Sequence, residues 1–255
     1  MTEAATKGSE FPWDSDPTRM VKVPDGLKPS VQPDDNSRYI TGEWYEMEYS
    51  HGWYRKMYIE GVMPTHAIEA YRYNVDMTIA LTGLNRDAKI LDLGAGVGNL
   101  MRAWKSRGFF NVSGIEISPT AVKESGNPNI KCGSIADMSM FKDKQFDVVT
   151  STALLEHIDV SQEAQAVQEA VRVGHRQAHF IGLERGLDPG HINIKTIDEW
   201  AALFTRYFPG MTAVIPDDVS GDPILLCVPE NMLIHPMRRC VKWPLQIQAK
   251  GEITL

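Results

Sequence analysis

Cysteine is scarce in this sequence. Cys132, Cys227 and Cys240 are its three, an odd number, widely spaced and without a C-x-x-C pair. That speaks against a disulfide framework or a cysteine zinc site and points to a reducing, cytoplasmic compartment. Positive charge is also in deficit: 26 Lys and Arg stand against 33 Asp and Glu, a formal net charge of −7. Such a balance gives no electrostatic hold on a duplex phosphate backbone, so duplex nucleic acid is not the expected partner. Long apolar runs are missing. No stretch approaches a membrane span, and the opening MTEAATKGSEFPWDSDP lacks the apolar segment of a signal peptide. No membrane partner is expected.

What is present is an ordinary globular composition over 255 residues, 43% hydrophobic and 23% charged, enough for one domain or one domain with a cap. Residues 1–41, rich in Pro, Asp, Ser and Lys, read as a flexible arm. Residues 42–84 read as an aromatic-rich cap and helix. Within them GEWYEMEYSHGWYRKMY packs Tyr and Trp among charges, either as an aromatic edge on the core or as a lid over a ligand. Tyr45, Tyr49 and Trp53 are its candidate wall residues. Residues 65–82 are compatible with an amphipathic helix that Gly83 ends. The main domain, with a C-terminal tail, spans 85–255. Strands are expected at 89–93, 112–116, 146–151, 177–182, 211–215 and 224–228, with a short one near 130. Helices are expected at 98–107, 118–125, 162–173 and 196–207. The alternation predicts an α/β fold with a doubly wound, mostly parallel sheet.

The most informative stretch is ILDLGAGVG, 90–98. A strand apolar at Ile90, Leu91 and Leu93 runs straight into three alternating glycines. A strand that turns directly into a helix exposes backbone N–H groups, and glycine permits close approach by a ligand. The next strand ends in Glu116, where a carboxylate can accept from both hydroxyls of a ribose; a solvated loop acid is the plainer alternative. The spacing is G-x-G-x-G, not the G-x-G-x-x-G of dinucleotide enzymes, and the lysine of a triphosphate loop is absent.

Together, ILDLGAGVGNL, GIEIS and CGSIADMSMFKDKQFDVVTSTALLEHI resemble, in order and interval, the motifs of the class I S-adenosylmethionine-dependent methyltransferases, small-molecule branch. The resemblance covers about residues 70–230 and implies a seven-stranded, Rossmann-like sheet with an N-terminal extension. It implies S-adenosyl-L-methionine as cofactor. Asp92 would orient its methionine end, with Gly94, Ala95, Gly96 and Gly98 forming the turn beneath it. Glu116 would hold the ribose, Ile117 pack on the adenine, and Ala136 with Asp137 meet the adenine edge. Asp137 otherwise serves as a turn acid, and Gly133-Ser134 departs from the family's frequent Gly-Asp. Thr150, Ser151 and Thr152 end the fourth strand toward the ligand crevice, and Thr152 is taken as a cofactor contact.

Two histidines are candidates for the catalytic side. His157 follows Glu156 in an acid–histidine pair and is either a packed structural residue or a base. His191 sits in GLDPGHINIKTIDEW with Asp188 and Asn193, either as a base or as a loop anchor. A histidine near neutral pKa accepts a proton from a hydroxyl or amine. No metal cluster stands out. The [DN]PP[YF] tetrapeptide of amino-methylating nucleic-acid enzymes is replaced by STAL, and no cysteine stands at this strand end for cytosine chemistry. The reading is therefore methyl transfer to an oxygen or nitrogen of a small-molecule substrate. Methylation of protein or nucleic acid, non-methyl transfer from the same sulfonium, and a non-catalytic binding module remain as alternatives.

Overall fold

The structure is a computed structural model, and it describes residues 42–52, 54–59, 64–183, 190–215 and 223–229. The arm 1–41, Trp53, the loop acid Asp188, and the tail beyond 229 lie outside them.

Seven strands form one sheet: β1 (Ile90–Leu93), β2 (Val112–Glu116), β3 (Ile130–Cys132), β4 (Val148–Thr152), β5 (Gln177–Phe180), β6 (Met211–Ile215) and β7 (Ile224–Val228). Their order is β3-β2-β1-β4-β5-β7-β6. The first five pair in parallel, and β7 runs antiparallel to both β5 and β6. The helices are α1 (Gly42–His51), α2 (Pro64–Thr82), α3 (Asn99–Ser106), α4 (Pro119–Ser125), α5 (Val160–Val173) and α6 (Ile197–Tyr207). A doubly wound, Rossmann-like architecture is thus what the alternation of short apolar runs and amphipathic segments produces.

Burial on both faces explains the apolar strands. β1, β5 and β7 are buried at every residue. Successive residues feed opposite sides. Ile224, Leu226 and Val228 join the core shared with α2 and α3, while Leu225 and Cys227 join the core shared with α5 and α6. Likewise Val148 faces the first core and Val149 faces a cluster with Leu91, Leu93, Ile115 and Ala170. Asp147 anchors the start of β4 by accepting from the Lys89 amide at 2.8 Å. α6 begins with a capping box, Thr196 and Glu199 each accepting the other's backbone N–H.

The predicted boundaries shift by a residue or two. α5 starts at Val160 because Asp159 caps it by accepting from the Ser161 amide, and β5 stops at Phe180. Residues 42–59 form α1 and a π-helical turn, Arg55–Ile59. Tyr49, Tyr54 and Met57 pack there against Val97 and Ala121, whereas Val75 of α2 belongs to the main core.

The parallel order reverses between β1 and β4. Their carboxyl ends therefore diverge into a crevice, the usual ligand position of such sheets.

Candidate functional site

At that crevice lies a cavity of about 670 Å³, a size that suits a small ligand. One wall is the glycine turn. Gly94 and Gly96 have φ of +64° and +51°, values that side chains resist. A Cβ on Gly96 would come within 2.9 Å of the Tyr49 hydroxyl, so the backbone and the cap meet here. Asp92, Gly94, Ala95 and Gly96 line the cavity, while Gly98 stands behind it as the N-cap of α3.

Asp92 is 2% exposed, and its Oδ2 is buried without a hydrogen-bond partner. Burial, with Glu116 nearby, raises its pKa well above the ordinary carboxylate range. Glu116 differs. Its two oxygens accept from the Gly96 amide at 2.8 Å and the Ser118 amide at 2.9 Å, tying the glycine turn to the end of β2. Burial still raises its pKa, against the pull of those bonds. The Ile117 amide adds to that pull, and both Glu116 and Ile117 line the cavity.

Farther along, Gly133, Ser134 and Ile135 form the wall. Ala136 and Asp137 follow them and are not among the lining residues. Asp137 is exposed and closes a turn by accepting from the Ser139 amide at 3.1 Å. Thr152 lines the cavity and accepts from the Asn74 amide group at 3.1 Å.

Beyond β4 the chain turns sharply. Ala153 takes a left-handed φ of +47° and leads into a 3₁₀ turn, Leu155–His157. Glu156, fully buried, is the hub of this region. Its Oε1 accepts from the Gly182 amide at 3.0 Å, and its backbone carbonyl accepts from the Ile192 and Asn193 amides at 3.0 and 2.9 Å. Those bonds dock the loop after β5, so His191 meets His157 edge to face with ring centroids 4.6 Å apart. Both line the cavity. The two histidines that sequence offered as rivals share one wall.

The cap closes the other side. Tyr45, Tyr49, Tyr54 and Tyr58 line the cavity with Tyr71 of α2. The Tyr45 hydroxyl lies 3.0 Å from His157 Nδ1 and 3.3 Å from the His157 carbonyl. Glu46 latches α1 to α4. Burial pushes its pKa up, but bonds from Ser118, Thr120 and Ser50 outweigh that and hold it at about 2.

Sequence reasoning did not reach Tyr71 or Asn74, whose helical context reads as ordinary amphipathic surface. It also missed His179, fully buried between Ser151 Oγ at 2.8 Å and Gln177 Oε1 at 3.2 Å; burial lowers its pKa to about 3. Among the described residues no helix is long and apolar enough to cross a membrane.

Residues 91–182 match the family model of a methyltransferase domain. No curated protein sequence matches the chain significantly. Among solved structures, the PH0226 protein of Pyrococcus horikoshii OT3 is 16% identical over 67% of this chain and 94% of its own, with a TM-score of 0.56. DesVI of Streptomyces venezuelae is 14% identical over 62% of this chain and 92% of its own, TM-score 0.51. A methyltransferase candidate from an antibiotic biosynthesis pathway of Anabaena variabilis is 20% identical over 58% of this chain, TM-score 0.46, and this chain spans 66% of it. Residues 91–182 thus carry a methyltransferase-like domain, set on a fold shared with these solved structures.

Proposed function

We propose that this protein transfers a methyl group from S-adenosyl-L-methionine to an oxygen or nitrogen of a small molecule. The observation that carries the reading is the buried, unpartnered Asp92 carboxylate oxygen at the glycine turn. A lone buried charge costs stability unless a ligand completes it, and the cationic amino-acid end of this cofactor is a fitting complement. Glu116 supports the same pose. Its carboxylate, at the end of β2 on the cavity wall, suits two adjacent ribose hydroxyls, and Ile117, 38% exposed at the cavity, offers an apolar face to a base. Gly94, Ala95, Gly96 and Gly98 keep the turn low enough for the ligand to lie against backbone. Ser134 and Ile135 reach the cavity just before Ala136 and Asp137, which would act at the adenine edge.

When bound, the cofactor supplies a sulfonium methyl already activated for attack, with a neutral thioether as leaving group. The protein then has to hold the acceptor in line and keep water out. The tyrosine-rich cap and Thr152 bound the space in which the acceptor sits. His191 and His157 face that space as candidate bases for a protonated hydroxyl or amine. A partly enclosed cavity of about 670 Å³ favours a small acceptor.

The test is incubation with methyl-labelled cofactor and a pool of small metabolites. Label is expected in a small molecule. Label confined to protein or nucleic acid would overturn the substrate class, and no transfer to any pool would leave a binding module.

A further inference from the structure

We propose that Glu156, His157 and His191 form a divalent-cation site, with a donor set suited to zinc. Nothing in the sequence pattern points there, because Glu156–His157 and His191 are far apart in the chain. The fold brings one donor atom from each to within 4.8 Å of the others. His191 Nε2 lies 3.9 Å from Glu156 Oε1. Zinc binds nitrogen and carboxylate oxygen at about 2.0–2.2 Å, which places tetrahedral ligands about 3.4 Å apart. Small side-chain rotations close that difference.

Three features argue for a cation rather than for packing alone. The donors are two imidazoles and one carboxylate, a combination that serves catalytic zinc sites with one position left open. The carboxylate is wholly buried and the two rings are partly buried, and both rings face the cavity, so an open coordination position would face it too. The third feature is the hydrogen bond at His157 Nδ1. The Tyr45 hydroxyl lies within hydrogen-bond reach of both His157 Nδ1, at 3.0 Å, and the His157 carbonyl, at 3.3 Å. With the proton on Nδ1, Tyr45 is the outer partner that orients a metal-binding histidine and Nε2 is the ligand atom. The Gly182 amide on Glu156 Oε1 plays the same part for the carboxylate.

Cation binding stands independently of the methyl-transfer reading. Where both hold, the two imidazoles act as ligands rather than bases. A cation there would lower the pKa of an acceptor hydroxyl.

The experiment uses the full-length chain without a histidine tag, stripped with a chelator. Zinc binding is followed by calorimetry, and cobalt(II) binding by visible absorption. One ion per chain is expected. His191→Ala and His157→Gln should each weaken zinc at least about tenfold and alter the cobalt band, and Tyr45→Phe should weaken it by roughly tenfold. His175→Ala, an exposed histidine before β5, should change nothing. Circular dichroism identifies any unfolded variant, and either His191→Ala or His157→Gln suffices. Wild-type affinity no higher than that of a folded variant, or a loss in His175→Ala as large as theirs, overturns the site. S-adenosylhomocysteine binding on the same samples keeps the two readings apart: zinc without the nucleoside fails the crevice reading and leaves the cation site standing.

Discussion

Replacing Asp92 by Asn separates the cost of this acid from its use. In the protein without ligand, the Asp92 carboxylate is 2% exposed with Oδ2 unpartnered. Removing a buried, unsatisfied charge relieves on the order of 1–3 kcal/mol. Asn still buries an amide, so the lower part of that range is the expectation. For a chain of this size about 1 kcal/mol raises Tm by roughly 2–4 °C. The variant should melt higher than wild type in the absence of ligand. The sign of the pH dependence follows from the raised pKa of Asp92. Its burial penalty is full above the folded pKa and fades as pH falls through it, so the advantage of the variant should shrink on acidification. Ligand binding should move the other way. A hydrogen bond to a charged partner contributes about 1.5–3 kcal/mol, and its loss should weaken S-adenosylhomocysteine by roughly 10- to 150-fold. Thermal melts with calorimetry read both quantities. A variant that melts lower and binds unchanged would refute the argument, because Asp92 would then be a structural acid with no ligand to meet.

Other consequences follow from single groups. His179 has its pKa lowered from 6.5 to about 3 by burial, so the unfolded chain binds the extra proton and stability falls as pH drops below about 6.5. Between pH 7 and pH 5 the loss is roughly 2 kcal/mol; His179→Gln should remove that part of the slope in denaturant titrations, and an unchanged slope would contradict it. The Glu46 latch, held at about 2, contributes above pH 4.5 and is lost as pH falls toward 2. Glu46→Ala should speed amide exchange across Gly42–His51 relative to β1, and cofactor with acceptor should slow it there in wild type. Equal exchange in all states would mean that the cap is no lid.

The sheet was legible because its central strands, β1, β5 and β7, are buried on both sides. Runs such as KILDL and DVVTS leave a helix no polar face, and the intervening amphipathic segments fix the crossovers. The glycine turn and Glu116 were legible because local spacing determines them. The wall that carries His157 and His191 was only half legible. His157 and His191 stood out as residue types, but their meeting depends on Ile192 and Asn193 donating to the carbonyl of Glu156, a long-range event with no local signature. The shape of 42–59 was also hidden. Its Tyr and Trp content suggested a wall, yet α1 and a π-helical turn come from packing against Val97 and Ala121 and not from periodicity. His179 reads in sequence like any strand residue, since nothing local shows that Ser151 and Gln177 will be its partners.

Calorimetric titration of the wild-type chain with S-adenosylhomocysteine and, separately, with NAD tests the central claim most directly. The glycine turn, the unpartnered Asp92 oxygen and the doubly anchored Glu116 predict one tight site for S-adenosylhomocysteine, weaker binding of NAD, and a marked loss for Glu116→Ala in a chain that stays folded. No binding of S-adenosylhomocysteine, or tighter binding of NAD, would contradict it.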